Sequence, residues 1–246
     1  MIAIRRLKSV AVLGLVAGLA ACGRSDDAPR AAETAPTEAA SPDSTAAAAT
    51  PTPTPTGGVL IDQMMGVQVA YLESRLGPAR TVVDQARTYE IGACTVQVQT
   101  EGSEIVGYAV PMTPACSAQA LAALKAYDLP EKIDLTLGEF ADARQNADFK
   151  ADCLSLCGNA ADPWVYLESA GPRVSPGIRA GAVMVSDATI DASFRVRDAI
   201  TAAKGEDYVV DVGFNCTSEF NALAVRELRN VRIDQIEVGY VPLGRC

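Results

Sequence analysis

The sequence predicts an α+β fold in which helices pack on an antiparallel sheet. Three observations carry this. Ala93 to Thr100 alternates with period two, so Cys94, Val96 and Val98 share one face and Thr95, Gln97 and Gln99 the other. Glu101-Gly102-Ser103-Glu104 is a hairpin turn, and Ile105 to Val110 returns as a strand. Phe220, Leu223, Ala224 and Leu228 recur at helical spacing, and no long regular βαβ alternation appears to suggest a doubly wound sheet.

The remaining elements follow in order. Val59 to Leu76 reads as helix, stopped by Gly77-Pro78, because glycine takes left-handed backbone angles and proline cannot continue a helix. Thr81 to Glu90 carries the β-favouring Val82, Val83, Thr88 and Tyr89. Ser117 is a candidate cap for a helix carrying Leu121 and Leu124, ended by Pro130. Trp164 to Glu168 and Ile178 to Val185 read as strands. Asp187 is a candidate cap for a helix whose Ile190, Phe194 and Ile200 share a face, with Lys204 and Gly205 at its C-terminus. Tyr208 to Phe214 and Val231 to Tyr240 read as strands. The folded part, 58–246, is expected as one domain or as two small subdomains, 58–130 and 131–246.

The N-terminus is a separate matter. Arg5, Arg6 and Lys8 precede an apolar run, Val10 to Leu19, of signal-peptide length and too short to span a bilayer comfortably. Leu19-Ala20-Ala21-Cys22 then resembles the lipobox of bacterial lipoproteins. That resemblance implies cleavage of residues 1–21, diacylglycerol on the Cys22 thiol and a third acyl chain on the new amine. Two or more chains hold a protein to a membrane stably, at about 0.8 kcal/mol per buried methylene. Gly23 in place of Asp implies the outer membrane, with the domain facing the periplasm. Residues 22–57 contain no aromatic and no aliphatic larger than Ala, so they cannot bury apolar surface and read as a disordered tether. Thr50 to Thr56 alternates with proline and favours extended chain; fully stretched, the tether reaches on the order of 100 Å.

Cysteine parity fits this reading. Of seven cysteines, removing Cys22 leaves Cys94, Cys116, Cys153, Cys157, Cys216 and Cys246, an even set suited to three disulfides in an oxidising compartment. Six cysteines allow fifteen pairings; the nearest-neighbour set, Cys94–Cys116, Cys153–Cys157 and Cys216–Cys246, is the expectation. Its first and third bonds close loops each worth about 3 kcal/mol of chain entropy.

Val59 to Val110, with Met65-Gly66 and Leu76-Gly77-Pro78 ahead of a strand meander, resembles the SmpA/BamE-type small outer-membrane lipoproteins. The resemblance implies two helices on a three-stranded antiparallel sheet, an outline shared by β-lactamase-inhibitor-like domains. It carries over no functional residue.

Charge and composition exclude several functions. The chain carries −9, moving to −12 once Arg5, Arg6 and Lys8 are removed, which disfavours nucleic acid. There is no histidine, so Ser-His-Asp and Cys-His catalysis are out. No catalytic residue, cofactor or metal site is expected. Cys153-x-x-x-Cys157 has one residue too many for a redox motif and reads as a structural staple. Asp142, Asp148 and Asp152 lack EF-hand spacing and read as a solvated acidic face rather than calcium ligands. Trp164 with Tyr166 is either a binding surface or, as a lone Trp beside a disulfide, core packing. The expectation is a non-enzymatic binding or assembly lipoprotein, held to the membrane through Cys22, with an envelope protein as partner. An inhibitor of a basic enzyme such as lysozyme is the second reading, and a hydrolase the third. Oligomeric state is not legible.

Overall fold

The computed structural model describes residues 58–158, 162–170 and 176–239, all within the unit Thr52–Cys246. The signal peptide, Cys22, the tether and Cys246 lie outside the described residues.

Eight strands form one antiparallel sheet in the order β1-β2-β3-β4-β8-β7-β6-β5. They are β1 (Thr81–Val83), β2 (Ala86–Ile91), β3 (Cys94–Glu101), β4 (Glu104–Pro111), β5 (Asp148–Ala151), β6 (Trp164–Ser169), β7 (Ile178–Val183) and β8 (Gln235–Val238). The first four strands are one meander and the next three another. The last strand is the seam: β8 pairs with β4 through Tyr108↔Val238 and with β7 through Ile178↔Val238. Both halves of the folded part therefore share one sheet.

Among the described residues six α-helices accompany it: α1 (Val69–Leu76), α2 (Ser117–Ala126), α3 (Leu137–Ala143), α4 (Asp187–Lys204), α5 (Glu206–Val210) and α6 (Asn221–Glu227). None of the described helices is long and apolar enough to cross a membrane. Helix α3 has the clearest local cause. Thr136 Oγ1 accepts from Glu139 N and Glu139 accepts from Thr136 N, a capping box that satisfies two otherwise orphaned donors.

The pleat sorts the strands into two faces. On the inner face Val110, Ile236, Ala180, Leu167 and Phe149 lie in register across five strands and join the buried core. One position away, Thr81, Thr88, Gln97, Ala109, Glu237, Arg179, Glu168 and Asp148 form a row with one residue from every strand. Seven of these eight are polar, so period two decides which face meets the core. Ala109 and Tyr166 are buried on the outer side without belonging to the core cluster. The alternation expected for β3 is present, with Cys94, Val96 and Val98 buried.

Cys94–Cys116 ties β3 to the turn before α2, and Cys153–Cys157 closes the loop after β5. Cys216 is also disulfide-bonded. Its expected partner Cys246 is outside the described residues.

Several elements differ from expectation. Val59 to Leu76 is not one helix: a 3-10 turn, Ile61–Met64, is separated from α1 at Gly66, whose φ of 75° breaks the helical path. From 59 to 110 the chain thus forms this turn, one α-helix and four strands, not two helices and three strands. Gly77 does end α1, at φ 84°. Ser117 is the first residue of α2 and Cys116 the cap position, without a capping hydrogen bond, and α2 ends at Ala126, before Pro130. The cap of α4 is Ser186, whose hydroxyl accepts from Thr189 N, rather than Asp187. The buried face of α4 is Thr189, Ala192, Ser193, Val196 and Ile200, which turns Ile190 and Phe194 outward. Strand β8 stops at Val238 and starts only at Gln235.

Tyr208 to Phe214 is helix α5 and a 3-10 turn, Gly213–Cys216, not a strand. The edge it would have joined is already filled. Asn215 accepts from Ala151 N and donates to Ala151 O, and Asn221 Oδ1 accepts from Phe149 N, so two asparagine side chains finish the hydrogen bonding of β5. Edges closed in this way do not recruit further strands.

Candidate functional site

The five residues Cys153 to Cys157 leave the end of β5 and turn back on themselves. A disulfide across so short a loop holds its backbone in a tight path. Leu154 drops into the core with 2% exposure, while Leu156, two residues on, is 77% exposed. Leu156 also sits at φ 53°, in the left-handed region. A bulky non-glycine residue pays of order 1–3 kcal/mol there, and such outliers concentrate at functional sites.

Leu156 does not stand alone. A groove of about 330 Å³ runs between this loop and α4, lined by Leu154, Leu156, Pro163, Met184, Ile190 and Phe194, with Arg197 at its rim. Phe194 is 39% exposed, and Val185, beside the groove, 55%. The Arg197 guanidinium lies 4.1 Å from the centroid of the Phe194 ring and is bound to Asp198. This apolar surface arises because the core takes the other side of α4. Its lining is mainly apolar, with the Ser155 hydroxyl and Arg197 as its polar side chains, and what it can do is receive an apolar side chain.

The outer face of the sheet carries a charged network. Arg179 lies between two carboxylates, 3.2 Å from Glu168 and 2.5 Å from Glu237. Its guanidinium stacks 4.4 Å from the Tyr166 ring centroid. Tyr166 stacks in turn on Trp164, centroids 6.1 Å apart and planes 11° from parallel. Both rings lean over Gly181, where a Cβ would come within 2.9 Å of Tyr166, so only glycine fits beneath them. Asp152 receives the backbone N–H of Trp164 and the Tyr166 hydroxyl, which anchors the disulfide loop's entry strand to β6.

The electrostatics follow from burial. Asp152 is held above the usual carboxylate range by desolvation, against the pull of its hydrogen bond from Trp164. Burial, then the Asp152 charge, pushes the Tyr166 phenol well up. For Arg179 burial acts downward and is the largest single influence, but Glu237, Tyr166 and Glu168 together outweigh it, so the guanidinium stays charged. Each charge of Arg179, Glu168 and Glu237 faces an opposite one, as a structural network requires.

Comparison with known protein families, curated proteins and solved structures returned no match. The site therefore rests on its own geometry.

The residues singled out from sequence scatter. Asp142 makes a bidentate ion pair with Arg229, Asp148 accepts from Asn221, and Asp152 turns to β6, so the three acids have three separate partners. Trp164 is half-buried on the outer sheet face and not in the core, which corrects the core-packing expectation. Sequence reasoning passed over Leu156 and set Phe194 on one face with Ile190 and Ile200, of which only Ile200 is buried. The signal for Leu156 was present: with Leu154 it is one of two leucines in a loop that can bury only one.

Proposed function

We propose that this chain is a non-enzymatic binding lipoprotein. Anchored through lipid on Cys22 to the outer membrane and carried on residues 22–57, it docks an envelope protein at the disulfide loop. The observation that carries this reading is Leu156: an exposed leucine, in a conformation that costs energy, clamped by a disulfide beside an apolar groove. Nothing in the folding of the chain needs a leucine displayed in that way. A partner that buries it recovers about 1.5–3 kcal/mol from that side chain alone. The energy of protein interfaces concentrates in a few central, desolvated side chains.

The test is capture from chemically cross-linked envelopes using the full chain and its Leu156→Gly variant. Glycine accepts φ 53° without steric cost, so the variant keeps the loop and loses the anchor. The expected result is a discrete membrane protein captured by the native chain and lost with the variant. Equal capture by both chains refutes the site. Leu156-independent capture of a soluble basic enzyme instead supports the inhibitor reading.

A further inference from the structure

A second cavity, which shares no lining residue with the groove at the disulfide loop, lies between the turn Ile61–Met64, the end of α2, Arg144 after α3 and the adjoining ends of β6 and β7. Its volume is about 380 Å³, at the small end of the range for ligand sites. Met65 and Ile178 give it apolar walls, and Tyr127 at the end of α2 an aromatic one. Asp62, Asp128 and Arg144 supply charge.

The charges do not neutralise one another. Asp62 makes neither a hydrogen bond nor an ion pair with any described residue, and its Oδ1 is buried without a partner. Arg144 donates from Nη2 to the carbonyl of Tyr127 and lies 5.7 Å from that ring's centroid, while its Nε is buried and unpartnered. A half-buried carboxylate and a guanidinium that share one small space ordinarily pair, since each pays desolvation that only an opposite charge repays. Here the cavity separates them. Tyr127 is held from its other end by a hydrogen bond from its hydroxyl to Pro176 O, which keeps this wall of the cavity in place.

We propose that this cavity binds a small zwitterion of the α-amino-acid class. The ligand's ammonium faces Oδ2 of Asp62, with Asp128 adding to the field, and its carboxylate takes Nη1 of Arg144, the donor that neither the Tyr127 carbonyl nor burial occupies. Its side chain lies along Tyr127, Met65 and Ile178. Each end of the ligand satisfies a charge that the protein leaves unpaired, so a molecule with only one charged end leaves the other group exposed to the desolvation cost. That makes recognition depend on both charges together.

Calorimetric titration of the mature full chain with L-leucine tests this directly, with 3-methylbutylamine and 4-methylpentanoate as ligands that carry one charge each. The expected result is binding of L-leucine, with both single-charge analogues weaker by about tenfold or more. Asp62→Asn and Arg144→Gln are each expected to weaken L-leucine by a similar factor. Thermal unfolding of the unliganded variants reports whether they fold; should either fail, the comparison of the three ligands on the native chain still decides. Neither L-leucine, L-alanine nor glycine binding tighter than about 1 mM overturns the proposal. So does equal binding of the single-charge analogues. None of these outcomes bears on capture at Leu156.

Discussion

Leu154 and Leu156 lie two residues apart in one disulfide-closed loop, and one is sealed in the core while the other is the most exposed large apolar residue described. This predicts opposite results from the two truncations. Leu154→Ala removes buried methyl groups and is expected to cost about 2–5 kcal/mol of stability. Leu156→Gly is expected to change stability by under about 1 kcal/mol, because relief of the left-handed strain offsets glycine's chain entropy. Urea unfolding of the two variants measures both.

Arg179 holds the outer face together by standing between Glu168 and Glu237. Arg179→Met strips the cation from two nearly buried carboxylates and is expected to cost about 3–5 kcal/mol. Replacing Glu168 and Glu237 by leucine in the same chain is expected to recover most of that loss, since apolar residues of similar size need no counter-charge. Comparing unfolding midpoints of the single and triple variants checks the claim.

Asn215 acts as a missing strand for β5, pairing with both the N–H and the C=O of Ala151. Asn215→Leu leaves two backbone groups buried without partners, at about 1–3 kcal/mol each. It also uncovers an edge able to pair with other chains. Lower stability together with concentration-dependent association in size-exclusion chromatography is the expected outcome.

The alkaline limb of stability has a predicted sign. Burial of Tyr89, reinforced by the Glu73 carboxylate, pushes its phenol up to about 12 from an ordinary 10.0. Between these values the folded chain keeps a proton that the unfolded chain has released, so stability falls as pH rises through that window. Burial pushes Tyr108 and Tyr166 upward too, and they act in the same direction. Tyr89→Phe is expected to flatten the fall between pH 10 and about 12, followed by denaturant unfolding at stepped pH.

How much of this was legible in the sequence depended on range. Cys94, Val96 and Val98 announced their face because period-two burial is a local property, and Gly77 announced a helix end because its backbone freedom is local too. The Tyr208 to Phe214 segment misled because its β-branched residues favour a strand while the β5 edge is hydrogen-bonded by the side chains of Asn215 and Asn221 instead. Phe194 misled because three apolar residues at helical spacing do not say which side of α4 meets the core; the small Ala192 and Ser193 do. The joining of the halves by β8 was not legible at all, since it depends on which of eight strands lies between which others. The same holds for the cavity, whose Asp62 and Arg144 lie 82 positions apart and meet only in the fold.

The central claim is that Leu156 is the anchor of a protein interface. Site-specific photo-cross-linking in intact cells tests it most directly, with the photoreactive residue at position 156 and, as control, at the solvent-exposed position Gln97 on the outer sheet face. The account predicts one discrete protein adduct from position 156 and none of that size from position 97. No adduct at 156, or the same adducts from both positions, would contradict it.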